Sequence, residues 1–369
     1  MGNQLLFTES HAARLDDFVR MSRLAGSASD YVQGGGGNTS CKVDDTLMAI
    51  KASGFRLDQI GRDQAYAVLD YQALRRFYLE TDPGTLADIE QEGSARAKTA
   101  TRLVDGLPAL RPSVEAGFHA ILDTFVLHTH AVYANLATCA AQGPAIAASA
   151  LADLPVSHAF VPYINPGAQL TFAIRQAIGE TEAKTGRKPA ILLMQNHGLV
   201  VTGLDADTCL ELHEEANRRL AAAFSVSRRD WPAIEVRPEP GQDDGQHFVS
   251  ATPWLNRQLQ TRDWDHDFFA VRSLYPDQLV FLGGKIAVLE TGAPVPEDAV
   301  CTLNRASGEV RYRCGYNEAR TIEETLCAVL FITETIQRAG HAVHLMSEAN
   351  RSFIANWESE KYRKSITAR

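Results

Sequence analysis

An α/β chain in two parts is what the sequence predicts, and three observations predict it. Apolar runs of strand length alternate with stretches at helical spacing; the 369 residues exceed one ordinary domain; and a Pro-, Gly- and Asp-rich stretch near 230–245 interrupts the pattern.

In residues 9–25, Ala12, Leu15, Phe18 and Val19 recur at helical spacing, and the run Gly34-Gly35-Gly36-Gly37 then stops any regular element. Leu47-Met48-Ala49-Ile50 predicts a buried strand, residues 57–77 and 85–103 read as mainly helical, and 125–130 as a further strand. Residues 190–194 and 199–202 predict two strands around the turn Asn196-His197-Gly198, and Asp205 is a good N-cap for a helix that runs to about Phe224. The stretch from Arg228 to Asp244 contains Asp230-Trp231-Pro232 and Pro238-Glu239-Pro240-Gly241, which hold neither a helix nor a central strand. The expected division is a catalytic domain over 1–228, a linker over 229–245, and an independently folding accessory domain over 246–369 with no assigned role. In the last part, 279–282, 286–289 and 310–313 read as strands, and 321–338 and 341–362 as helices.

Hydrophobic residues make up 45% and charged residues 22%, which permits a large core and excludes global disorder. The net charge of −9 disfavours a nucleic-acid or anionic-membrane partner, since both require a basic face. No apolar run reaches the roughly 18 residues of a membrane span, and Met1-Gly2-Asn3-Gln4-Leu5-Leu6-Phe7 lacks the basic flank and apolar centre of a signal peptide, so a cytoplasmic protein is expected. The six cysteines are scattered without a Cys-x-x-Cys pair and read as reduced and structural.

His128-Thr129-His130 lies on a strand-like segment, whose period of two puts both imidazoles on one face. His197 sits at a strand end between Asn196 and Gly198, where functional side chains are common. A His-x-His pair with one distant histidine fills three positions of a catalytic metal and leaves one open. On spacing alone, two hydrogen-bonded rings on a half-buried strand are the better explanation. Pro112-Ser113-Val114-Glu115 reads as a helix start with Ser113 as N-cap and Glu115 in the first turn, an arrangement that serves stability by itself and also offers N–H groups to an anion. His119 lies one turn later on the same face.

Five motifs, Gly37-Asn38-Thr39-Ser40, Lys51-Ala52-Ser53-Gly54, Pro112-Ser113-Val114-Glu115, His128-Thr129-His130-Ala131 and Asn196-His197-Gly198-Leu199, stand in the order found in the class II aldolase/adducin family. Over about residues 10–225 the chain resembles bacterial rhamnulose- and fuculose-phosphate-aldolase-like members, followed by a C-terminal extension. The resemblance implies a largely antiparallel central sheet flanked by helices, and a homo-oligomer, with a tetramer favoured. It implies one divalent ion, Zn2+ above Mn2+, Co2+ or Fe2+, held by His128, His130 and His197, with Glu115 as the acid/base. It implies further that Gly37, Asn38, Thr39, Ser53, Gly54 and Ser113 bind the substrate's phosphate. Two departures stand out: Lys51-Ala52-Ser53-Gly54 replaces a Thr-Pro-Ser-Gly common in the family, and Val114 replaces a frequent second serine. Lys51 adds a cation there, His119 is a candidate partner of Glu115, and Tyr163 is a candidate proton donor with a core-edge tyrosine as its alternative.

The implied activity is aldol cleavage or formation in a small ketose or ketose phosphate through a metal-held enediolate. Decarboxylation of an oxo-acid sugar phosphate and pentulose-phosphate epimerisation use the same scaffold, and an adducin-like binding protein is the alternative without chemistry. Glu at position 115 leans away from the epimerases.

Overall fold

In a computed structural model of the chain, residues 6–242, 244–290 and 294–356 are described. Eight strands, β1 (Asn38–Lys42), β2 (Leu47–Lys51), β3 (Tyr66–Asp70), β4 (Thr101–Arg102), β5 (Phe125–Thr129), β6 (Ser157–Val161), β7 (Pro189–Met194) and β8 (Gly198–Gly203), form one sheet in the order β4-β3-β2-β1-β5-β8-β7-β6. Every neighbouring pair is antiparallel except β6 and β7. Alternation along β5 sorts the two faces. Phe125 and Leu127 enter one core with Phe18 of helix Ala12–Gly26 and Leu220 of helix Ala206–Ala223, while Val126 joins Phe118 of helix Ala116–Ile121 and Leu170 of helix Ala168–Thr185 on the other face. Asp205 caps helix Ala206–Ala223 as expected, accepting from Thr208 N at 2.7 Å.

A second sheet contains β9 (Val236–Pro238), β10 (His247–Ser250), β11 (Ile286–Leu289), β12 (Cys301–Asn304) and β13 (Val310–Arg313) in the order β11-β12-β13-β10-β9. Its β11–β12 pair is parallel and the others are antiparallel. Pro238 is tolerated because β9 is an edge strand. Helix Tyr316–Arg338 touches both this sheet and helix Val132–Thr138 of the first region, with Phe331 edge-on to Tyr133 at 6.2 Å between ring centres. One buried apolar cluster thus runs from Phe18 through Tyr133 to Leu303 and Leu326. Among the described residues no helix is long and apolar enough to cross a membrane.

Three local expectations are corrected. Residues 57–77 are not mainly helical: β3 runs through Tyr66-Ala67-Val68-Leu69-Asp70, a mostly apolar segment whose pairing with β2 overrides its weak helical period, and the helix begins only at Tyr71. Residues 279–282 are not a strand but the end of helix Pro276–Leu282, because Pro276 fixes a helical φ at the first position and the short apolar run is buried by its neighbours. The final helix starts at Glu348 and not at His341, since Val343 instead makes a β-bridge to Ala140; residues beyond 356 lie outside the described residues.

Candidate metal centre

β1, β5 and β8 are neighbours in the sheet, and their register assembles the site. Asn38 lies opposite His128, and Thr129 lies opposite Leu199 just after the β7–β8 turn. That turn closes through His197 N donating to Met194 O at 3.1 Å and requires a positive φ of 52° at Asn196, which asparagine tolerates better than most residues. Gly198 is obligatory there, because a Cβ would stand 2.3 Å from Thr129 O.

The three imidazoles face one another with ring centres 4.9, 5.0 and 5.0 Å apart, and one nitrogen from each lies within 4.8 Å of the others. His128 Nε2 and His130 Nε2 are 3.2 Å apart. The far nitrogens are anchored: His128 Nδ1 is 3.0 Å from Leu199 O, and His130 Nδ1 is 2.5 Å from Asp277 Oδ2. With each Nδ1–H donating outward, the Nε2 lone pairs converge. His128 is wholly buried, and burial first, then the neighbouring His130 and His197, hold its pKa well below the ordinary histidine value, so its ring is neutral. Glu115 closes the cluster, with Oε2 at 3.6 Å from His128 Nε2 and Oε1 at 3.4 Å from His197 Nε2. Three buried imidazoles whose nitrogens converge beside one carboxylate make a donor set that could hold a divalent metal ion.

Glu115 is itself held. Asn38 Nδ2 donates to Glu115 Oε2 at 2.5 Å and to Ser113 Oγ at 3.0 Å. Behind Asn38, His119 Nε2 contacts its Oδ1 while His119 Nδ1 lies 2.7 Å from Ser40 Oγ. His119 therefore acts on Glu115 through Asn38, not by direct contact, and burial followed by nearby Lys42 keeps it neutral. Helix Ala116–Ile121 starts two residues later than expected, so Glu115 and not Ser113 occupies the N-cap position, and Ser113 Oγ accepts from Glu115 N at 3.3 Å.

A cavity of about 530 Å³, counting its open mouth, is lined by Gly37, Asn38, Lys51, Ser53, Gly54, Ser113, Glu115, His130 and His197, together with Gly35, Val114, Pro166, Pro276 and Asp277. Lys51 Nζ joins the two glycine turns by donating to Gly35 O at 2.9 Å and Phe55 O at 2.6 Å.

The sequence model of the Class II Aldolase and Adducin N-terminal domain matches residues 16–224, more than half of the chain. The chain belongs to this family. A Bacillus subtilis (strain 168) relative called "Uncharacterized oxidoreductase YuxG" is 28% identical over 206 residues, covering 53% of this chain and only 27% of that relative's length. Among solved structures, the N-terminal class II aldolase domain of a conserved protein from Thermoplasma acidophilum aligns at 23% identity and a TM-score of 0.46, over 56% of this chain and 91% of that one. A sugar-phosphate aldolase from Thermotoga maritima aligns at 11% identity and a TM-score of 0.41, over 58% and 94%.

Two residues expected in the class II aldolase pocket stand outside it. Thr39 points to the opposite face of β1, where its hydroxyl lies 2.7 Å from Ser22 Oγ, because alternate residues of a strand face apart. Tyr163 is a core-edge residue, donating to Asn165 Oδ1 at 3.2 Å and packing beside Val280 and Phe281. Sequence reasoning missed Asp277 and the supports of the glycine run. Gly34 N donates to Glu324 Oε2 at 2.9 Å, and Arg56 reaches both oxygens of that carboxylate at 3.2 Å. The signal for Asp277 was Tyr275-Pro276-Asp277 itself, a Pro-led helix start preceding a run that had been assigned to a strand.

Proposed function

We propose that this chain is a divalent-metal-dependent lyase that makes or breaks a carbon–carbon bond in a small ketose, with a ketose phosphate as the favoured substrate. The observation that carries the reading is the placement of the Glu115 carboxylate against the convergent Nε2 atoms of the histidine triad, at the floor of a glycine-lined cavity. His128, His130 and His197 would hold the ion, which when bound supplies Lewis-acid charge stabilisation at the substrate's carbonyl and adjacent hydroxyl, worth several kcal/mol.

The residues then divide the remaining work. In the forward aldol direction Glu115 takes a proton from the donor carbon next to the carbonyl, the carbon electrons form the new bond to the aldehyde carbon, and the aldehyde's π electrons move to its oxygen, which takes up a proton from water in the open cavity. In cleavage that hydroxyl gives its proton back to water, the carbon–carbon bond breaks, and Glu115 returns its proton to the donor carbon. Asn38, fixed from behind by His119, holds Glu115 so that one carboxylate oxygen faces the cavity. Gly37, Ser53, Gly54 and Ser113 supply backbone N–H groups and hydroxyls to an anionic tail, with Lys51 as the local cation. The pentulose-phosphate epimerase and oxo-acid decarboxylase readings use the same proton transfer and differ in the bond broken. A screen of ketose phosphates with added Zn2+, Mn2+ or Co2+ and trapping of aldehyde products tests the assignment. A metal-dependent aldehyde from one substrate is the expected result; carbon dioxide, an epimer, or no metal-dependent turnover of any candidate overturns it.

A further inference from the structure

The segment Leu274–Gln278 reaches one histidine of the triad, and the chain neighbour of another, from far away in the chain. Asp277 Oδ2 accepts from His130 Nδ1 across 147 residues, and Leu274 O accepts from Asn196 Nδ2 at 2.7 Å, next to His197. The segment is itself pinned: Gln278 Oε1 accepts from Leu274 N at 2.8 Å, and Gln278 Nε2 donates to Phe268 O at 2.8 Å. Asp277 is 1% exposed, and a Cβ on Gly36 would lie 2.5 Å from its Oδ2 and 2.8 Å from His130 Nδ1, so the glycine run is shaped around this contact. His344 of the same C-terminal region adds a second hold on Asn196, its carbonyl and Nδ1 both 2.7 Å away.

We propose that Asp277 is the positioning carboxylate of the metal centre, and that through it metal binding and docking of the C-terminal region are coupled. The proposal rests on the reading of His128, His130 and His197 as metal ligands. A carboxylate on Nδ1–H fixes the tautomer and ring orientation of His130 and strengthens Nε2 as a donor; loss of such a partner weakens metal binding about 10- to 100-fold. An ion that binds only when His130 is so held stabilises the docked arrangement in return.

The test uses the full chain, stripped of metal and titrated with Co2+ or Zn2+ against a chelating dye. Asp277→Ala is expected to weaken binding about 10- to 100-fold, and Asp277→Asn, which keeps an acceptor of the same shape without the charge, by less. Co2+ absorption bands are expected to shift in both variants. Ile336→Val, which trims the core of the same region away from the site, sets the effect of lowered stability alone, and is expected to keep wild-type affinity and spectrum. Hydrogen exchange of the wild-type chain supplies an arm independent of variant folding: saturating Zn2+ is expected to slow exchange over 274–282. Wild-type affinity and bands in folded Asp277 variants, or exchange over 274–282 that ignores metal, overturns the proposal. A wild-type chain that binds no metal overturns the triad reading itself, a distinct result.

Discussion

β5 and the segment Leu274–Gln278 both place groups around His130, by opposite routes. β5 does so by register: Asn38 sits opposite His128, so ligand, carboxylate holder and sheet are fixed by the same ladder of backbone hydrogen bonds. The C-terminal segment does so by docking, with side-chain and carbonyl contacts that exist only when two remote stretches of chain are packed together. The difference teaches that removing a ladder-borne group should abolish chemistry locally, whereas loosening the docked region should act on everything it touches.

The sharpest break in that comparison is His128→Ala. The side chain lies wholly inside the sheet core, its ring edge-on to Phe118 at 5.9 Å, and its loss takes one of the three nitrogens. Bound metal and turnover are expected to fall to background together while circular dichroism keeps the folded signal. Elemental analysis showing full occupancy in the variant removes His128 from the ligand set.

Glu115→Gln separates proton transfer from metal holding. The substitution is nearly isosteric, so fold and metal content should persist while turnover drops by about 10²- to 10⁴-fold, the range for loss of a general acid–base. Metal-dependent exchange of the donor's carbon-bound proton with deuterated water should vanish as well. If exchange and cleavage run at the wild-type rate in this variant, Glu115 serves only as a residue at the helix start.

Register also decides what was legible. His128, His130 and His197 could be read because strand periodicity and a turn signature carry them, and Glu115 because a proline and a serine announce a helix start. β1 was not anticipated: Asn38-Thr39-Ser40-Cys41-Lys42 has almost no apolar content, yet all of it is buried between β2 and β5, where its polar side chains find partners in His119, Ser22 and the backbone. For the same reason Thr39 was assigned to the pocket from its motif although the pleat turns it away. Glu324 and His344 carry no local signal, and Asp277 carries only that of a Pro-led helix start, since the meaning of all three comes from partners more than a hundred residues distant.

The docking route is broken most directly at Glu324. Its carboxylate is fully buried, paired with Arg56 at 3.2 Å and with Arg320 at 2.9 Å, and it accepts from the backbone of Gly34. Glu324→Ala leaves a largely buried guanidinium without this partner, a loss of about 3–5 kcal/mol, to be read from chemical denaturation. Limited proteolysis addresses the same seam: residues 240–242 and 244–246 are exposed, so the first cut is expected there, as the division proposed near 229–245 requires. The apolar cluster shared between the regions predicts that the nicked halves stay together on size exclusion in the wild type and separate more readily in Glu324→Ala. A first cut elsewhere argues against a boundary at this stretch.

The smallest effect lies at Lys42, where the ladder route itself carries a charge into the core. Lys42 ends β1, and its buried ammonium donates to the carbonyls of His119 at 3.1 Å, Leu122 at 2.7 Å and Asp123, in the last turn of helix Ala116–Ile121 and just beyond it. Burial first, and then neighbouring Arg75, push its pKa down to about 7 from the ordinary 10.5. Between those two values the unfolded chain binds a proton that the folded chain does not, so stability rises with pH across the window. The contribution is complete above the unfolded value and is lost as pH falls through the folded one. Relative to Lys42→Met, the wild type should therefore gain stability from pH 7 to pH 10 with a slope of at most about 1.4 kcal/mol per pH unit, measured by urea unfolding at each pH. A difference that stays flat over that range means the three carbonyls keep Lys42 charged against its burial, and the helix end is then held by a full ammonium ion.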